Sequence, residues 1–140
     1  MSEPYKLRFD VKSGDFARAG GASRSIKAAM IQLGIENKIV RKIAIATYEA
    51  EMNLAIHSEG GYIEVLASPD KLQIVIEDVG PGIKDVNLAM TEGYSTASDK
   101  VREMGFGAGM GLPNMKLCAD NFDIQSTYGI GTKITMVFKI

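Results

Sequence analysis

A chain of 140 residues with 46% hydrophobic side chains is long enough for one domain with a real core. Sixteen Lys and Arg nearly balance seventeen Asp and Glu, so no net field draws the chain toward nucleic acid or an anionic membrane. A single cysteine, Cys118, excludes an internal disulfide. No apolar run approaches the roughly 20 residues that span a bilayer, and residues 1–10 lack a signal-peptide core. The expectation is a single cytoplasmic domain over 1–140, with neither nucleic acid nor membrane as partner.

In chain order, Tyr5, Leu7, Phe9 and Val11 alternate with Lys6, Arg8 and Asp10, the pattern of a half-buried strand. Asp15 is placed to cap a helix over 16–33, weakened by Gly20-Gly21 and stopped by Gly34. A stronger helix is predicted over 37–58, with Ile39, Ile43, Ala46, Ala50 and Leu54 at helical spacing. Two strands, 62–67 and 72–78, flank the turn residues Ser68-Pro69-Asp70-Lys71. Residues 84–104 read as a polar connection. A third helix is predicted over 111–119, then strands over 122–126 and 132–140. Strands with one apolar and one polar face fit an antiparallel or mixed sheet open to water on one side. With helices on the other side this is a two-layer α/β sandwich.

Three features carry chemistry. Glu49, Asn53 and His57 lie four apart on one helix face beside the apolar stripe. Taken alone this stripe reads more readily as an exposed polar edge, and His57 as a packing or surface residue. Glu51 lies about 200° round the helix from Asn53 and is expected to point to water. Next, Asp78 shares the parity of Leu72, Ile74 and Ile76, so its carboxylate faces the helix side and needs a donor. The exocyclic amine of adenine would serve. Gly80-Pro81-Gly82-Ile83 follows, a turn whose glycines would let a flat ligand approach, though the composition also suits an ordinary turn. Thr132 has the parity of Ile134 and Met136 and faces the same side as Asp78. Finally, Gly105, Gly107, Gly109 and Gly111 alternate directly before a helix, where bare N–H groups can bind phosphate. The spacing is neither a Rossmann fingerprint nor a Walker A loop, nor the glycine loop of eukaryotic-type kinases.

The order Glu49-x-x-x-Asn53, Asp78-x-Gly80-x-Gly82, Gly105 to Gly111, then Gly131-Thr132 resembles the GHKL ATPase superfamily of gyrase, Hsp90, histidine kinases and MutL. The likeness spans about residues 7–140. Within it, Glu49-Ala50-x-x-Asn53, Gly93-Tyr94-Ser95-Thr96, Gly107 to Pro113 and the ending from Phe122 to Lys133 resemble the bacterial anti-sigma-factor serine kinases. The stressosome switch kinase is the nearest likeness. The resemblance implies a Bergerat-type fold, ATP or ADP, and Mg²⁺ ligated by Asn53. It implies Glu49 as general base, and Asp78 on the adenine amine with Thr132 helping through water. Gly80, Gly82 and Ile83 would flank the base. Gly107, Gly109 and Gly111 would hold the phosphates, Gly105, Ala108, Met110 and Leu112 would also line the nucleotide site, and residues 91–104 would be part of the lid.

Two departures stand out. The lid stretch 97–104 is longer than in the stressosome kinase, and Ile56 and His57 stand where histidine kinases often carry a lysine. No phosphoacceptor segment precedes the domain, which argues against a complete histidine kinase. The resemblance implies a protein serine/threonine kinase acting on a STAS-domain antagonist. The competing expectations are an anti-sigma factor, or partner-switch module, whose ATP sets its shape, and a nucleotide-binding relic or simple ATPase. A sigma factor is thus a second expected partner, and a homodimer is compatible with either reading.

Overall fold

The computed structural model describes residues 5–14, 20–80, 82, 83, 86, 90 and 111–140. In chain order the elements are β1 (Tyr5–Val11), α1 (Gly21–Gln32), α2 (Asn37–His57), β2 (Gly61–Ala67), β3 (Lys71–Asp78), α3 (Gly111–Cys118), β4 (Asn121–Thr127) and β5 (Gly131–Lys139). The strands form one sheet in the order β1-β2-β3-β5-β4, and every neighbouring pair is antiparallel. The sequence left a mixed sheet open. Two tight turns decide it locally. Ser68 N–H donates to the Lys71 carbonyl at 2.9 Å between β2 and β3, and Ile130 N–H donates to the Thr127 carbonyl at 2.9 Å between β4 and β5.

Strand alternation sorts the sheet into two faces. On the inner face Ile63, Val65, Leu72, Ile74, Ile76, Ile134, Met136 and Phe138 are buried. Register stacks them across the sheet: Ile63 opposite Ile76, Val65 opposite Ile74, Ile74 opposite Met136, Leu72 opposite Phe138. Each such side chain contributes about 1.5–3 kcal/mol by leaving water. The outer face carries polar pairs instead. Arg8 lies 4.1 Å from the Tyr62 ring centre, the Tyr62 hydroxyl donates to Glu77 at 2.7 Å, and Lys6 pairs with Glu64 at 3.5 Å. These are exposed contacts of small individual worth.

The three helices among the described residues lie on the inner face, with α2 in contact with both α1 and α3. Ile43, Ala46, Ala50 and Leu54 of α2, Ile26 and Met30 of α1, and Met115 of α3 join the sheet residues in one core. Thr47, buried on α2, returns its hydroxyl to the Ile43 carbonyl at 2.8 Å. Ser58 closes α2, donating its hydroxyl to the Leu54 carbonyl and accepting from the Gly60 N–H.

Two sequence expectations change here. The first helix is described from Gly21, with Gly20 at its N-cap in a left-handed conformation, φ 94°. Asp15, the expected cap, lies outside the described residues. A glycine pair is a poor helix interior because it loses most backbone freedom on ordering, so 20–21 mark the start. The second change concerns Glu51. It does not reach water: it is only 4% exposed. Its two carboxylate oxygens accept the N–H groups of Ala22 and Ser23, both at 3.1 Å. These are two of the orphan donors at the first turn of α1, which has no side-chain cap of its own. The helical wheel correctly turned Glu51 away from Asn53, but α1 occupies that direction.

Replacing Glu51 with Ala leaves two buried donors unpaired at the start of α1. Expected is a loss of roughly 2–3 kcal/mol in urea unfolding, with Glu51→Gln intermediate. A change below about 0.5 kcal/mol for Glu51→Ala contradicts this account.

Candidate nucleotide site

Two groups of polar residues lie at the helix–sheet boundary. The first is on the seam between α2 and α3. Glu49 and Asn53 stand one turn apart on α2, and Gly111 opens α3 against them. A Cβ at Gly111 would lie 3.1 Å from Asn53 Oδ1 and 3.3 Å from Glu49 Oε2. The bare Cα therefore leaves a cradle between a helix N-terminus, a carboxylate and an amide. Asn114, three residues further along α3, points its Nδ2 at Glu49 Oε1 from 3.5 Å. Burial raises the Glu49 pKa above the ordinary carboxylate value, and the Asn114 contact opposes that only in part. The carboxylate is thus under-satisfied, with one oxygen toward Asn114 and the other toward Gly111.

The second group is at the end of the sheet. Asp78 closes β3 and Thr132 lies near the start of β5. Thr132 N–H donates to Asp78 Oδ1 at 2.8 Å. This backbone donor, 54 residues away in sequence, supplies part of what the carboxylate needs and leaves Oδ2 as an acceptor. Thr132 meets Asp78 directly through its backbone, while its hydroxyl sits 2.8 Å from the Ser126 hydroxyl. Ser126 Oγ also accepts the Ile83 N–H at 2.7 Å and lies 3.2 Å from the Gly131 carbonyl. Asp78 has a raised pKa, chiefly from burial; the Thr132 N–H lowers it and nearby Glu77 raises it.

Gly80 and Gly82 stand beside this second group. A side chain on Gly82, at φ +69°, would run into the Thr127 carbonyl, and one on Gly80 would press on Ser58 Cα at 3.2 Å. Protein backbone alone therefore requires glycine at 82 and leaves only tight room for a side chain at 80. The two groups are joined through α2. Leu54, next to Asn53, packs beneath Gly61, which pairs with Asp78. Beyond them, Glu59 N–H donates to the Val79 carbonyl at 2.8 Å and Val79 N–H to the Gly60 carbonyl at 3.0 Å.

The structure thus brings together Glu49, Asn53 and Gly111, and separately Asp78, Thr132 and Ile83. Leu112 packs partly buried against the apolar core. Gly105, Gly107, Ala108, Gly109, Met110 and the lid residues 91–104 lie outside the described residues, as does the side chain of His57, the last residue of α2. Two residues were given no role by the sequence. Ser126 follows Phe122 and Ile124 on the inward parity of β4 and pairs in register with Thr132, so its signal was a polar residue at the end of an apolar face. Asn114 gave only its i,i+3 relation to Gly111.

An acidic strand end, an amide-and-carboxylate helix edge and a glycine-led helix N-terminus, set on one face of an antiparallel sheet, define a nucleotide-binding α/β sandwich. Residues 24–140 match the histidine kinase-, DNA gyrase B-, and HSP90-like ATPase family, and the chain belongs to that family. It is 32% identical over 110 residues to the serine/threonine-protein kinase RsbT of Bacillus subtilis, covering 76% of this chain and 77% of that protein. It is also 33% identical over 143 residues to the anti-sigma F factor of Clostridium acetobutylicum, covering 97% and 93%. The anti-sigma F factor of Clostridium novyi is 31% identical over 143 residues, covering 96% and 93%. Among the described residues no helix is long and apolar enough to cross a membrane.

The raised pKa of Asp78 has a sign that can be tested. Below the ordinary aspartate value of about 3.9 the group is protonated folded or unfolded. As pH rises, the unfolded chain releases that proton first, so stability is lost up to the raised folded value. Asp78→Asn removes this loss and keeps an oxygen for the Thr132 N–H. In urea unfolding between pH 4 and 8, the variant is expected to gain on the wild-type chain as pH rises and then level off. A gap independent of pH contradicts the assignment.

Proposed function

We infer that this chain is an ATP-dependent protein serine/threonine kinase of a bacterial partner-switching system, working in the cytoplasm on a STAS-domain antagonist. The observation that carries this reading is the seam of Glu49, Asn53 and Gly111: a half-buried carboxylate and an amide facing a glycine-opened helix N-terminus. Similarity to a curated serine/threonine kinase over three quarters of the chain supports it.

In this reading adenine lies at the sheet end, its amine donating to Asp78 Oδ2 and its ring edge near Thr132. Gly80, Gly82 and Ile83 border the base. The phosphates run toward the N-terminus of α3, held by Gly105, Gly107, Ala108, Gly109, Met110, Gly111 and Leu112. Mg²⁺ fits the residues present. The bare Cα of Gly111 leaves room beside Asn53 Oδ1, where a Cβ would lie 3.1 Å away, and among the described residues no cluster of three His, Cys, Asp or Glu side chains offers a full protein cage. One protein oxygen suits an ion that keeps waters and phosphate oxygens as its other ligands. When bound, it would neutralise charge on the phosphates. Glu49 accepts the proton of the substrate hydroxyl as that oxygen attacks the γ-phosphorus. The bond from the γ-phosphorus to the bridging oxygen breaks, and ADP leaves. A carboxylate with a raised pKa is a better base near neutral pH than an ordinary one. Positioning of the hydroxyl in line supplies the rest.

A second reading is favoured by similarity to anti-sigma F factors over nearly the full chain: binding of a sigma factor, with nucleotide setting the bound shape. Intact-mass measurement of a STAS-domain partner after incubation with the chain and Mg-ATP separates the two readings. One added phosphoryl group is expected, falling at least about 100-fold in rate with Glu49→Ala while ATP affinity stays within about threefold. Transfer that survives Glu49→Ala removes the base assignment, and no transfer to any such partner leaves the sigma-factor reading.

A further inference from the structure

Ser126 joins three segments that the nucleotide reading uses separately. Its hydroxyl accepts the Ile83 N–H at 2.7 Å, meets the Thr132 hydroxyl at 2.8 Å, and reaches the Gly131 carbonyl at 3.2 Å. Thr132 in turn gives its N–H to Asp78. We propose that Ser126 is a positioning residue of the base pocket, which sets the Thr132 hydroxyl toward the purine ring edge and ties that setting to Ile83. The proposal rests on the adenine reading above and deepens it.

Proton counting gives the device its content. A hydroxyl has one proton and two lone pairs. The Ile83 N–H occupies one lone pair of Ser126. In one arrangement the Ser126 proton goes to the Gly131 carbonyl, and the Thr132 proton fills the second lone pair of Ser126. Thr132 then offers only lone pairs outward. In the other arrangement Ser126 donates to Thr132, and the Thr132 proton turns outward as a donor. Moving between them gives up only the longest of the three contacts, at 3.2 Å. A ring nitrogen beside the adenine amine accepts hydrogen bonds, so it selects the second arrangement while the amine uses Asp78 Oδ2. Ile83 N–H stays bonded in both, so the base contact and the loop after β3 are held by the same oxygen.

A hydroxyl that only satisfies local backbone would give the same geometry, so the test must read coupling to the base. Affinities for ATP, 1-deaza-ATP and 7-deaza-ATP are measured by calorimetry for the wild-type chain and Ser126→Ala. The analogues keep the amine and replace one neighbouring ring nitrogen with carbon. Ser126→Ala is expected to weaken ATP about tenfold, with the loss shrinking to within about twofold for one analogue. Ser126→Thr is expected to keep wild-type ATP affinity within about threefold. A loss equal for all three nucleotides, or no loss for any, overturns the proposal. If Ser126→Ala does not fold, Ser126→Cys replaces it under the same criteria. The adenine reading fails separately: through wild-type chain that does not bind ATP, which takes the present inference with it, or through Asp78→Ala that binds ATP as tightly as the wild type.

Discussion

The site depends on backbone meeting backbone without side chains between. At Gly131 a Cβ would run into the Asp78 carbonyl, and at Gly61 into the Glu77 carbonyl. These contacts bring the ends of β2, β3 and β5 closer than any side chain allows. Only at that spacing does Thr132 N–H come within 2.8 Å of Asp78 Oδ1. The same closeness lets Val79 and Gly60 exchange a hydrogen bond, which fixes the end of α2 against the end of β3. The polar residues of α2 and the carboxylate of β3 therefore share one frame. A side chain at Gly131 would push Asp78 away from the donor that orients it.

That frame places ionisable groups where water is scarce. Glu49 and Asp78 both have pKa values raised by burial. Each is only partly compensated, Glu49 by a single long contact to Asn114 and Asp78 by one backbone N–H. Among the described residues no fully buried side-chain polar atom lacks a partner, so the rest of the domain follows the usual rule of satisfied burial. The under-satisfaction falls on these two carboxylates, where it costs stability in the folded chain.

Much of this was legible in the sequence, for a definite reason. Strand parity is a local property, so the inward placement of Asp78 and Thr132 followed from their neighbours. Helix spacing likewise put Glu49 and Asn53 on one face. What escaped were contacts whose partner lies far along the chain. Ser126 takes its Ile83 donor from 43 residues away, and Glu51 takes its donors from 28 and 29 residues away. No periodicity reports such pairings. The first turn of the helix described from Gly21 is served by a carboxylate from α2, a partner that no local cap residue announces.

Glu49 and Glu51 show the difference between an under-satisfied and a fully paired carboxylate within one turn of one helix. Both are partly or wholly removed from water. Glu51 receives two N–H donors from a helix N-terminus, one on each carboxylate oxygen, and is held in place by them. Glu49 faces a neutral amide at 3.5 Å and an open glycine. Burial therefore works against its charged form with little to oppose it. Sequence position distinguishes them poorly, since each is a Glu on α2. The number of donors aimed at each one does distinguish them. The carboxylate with fewer donors lies on the side where α3 begins with glycine.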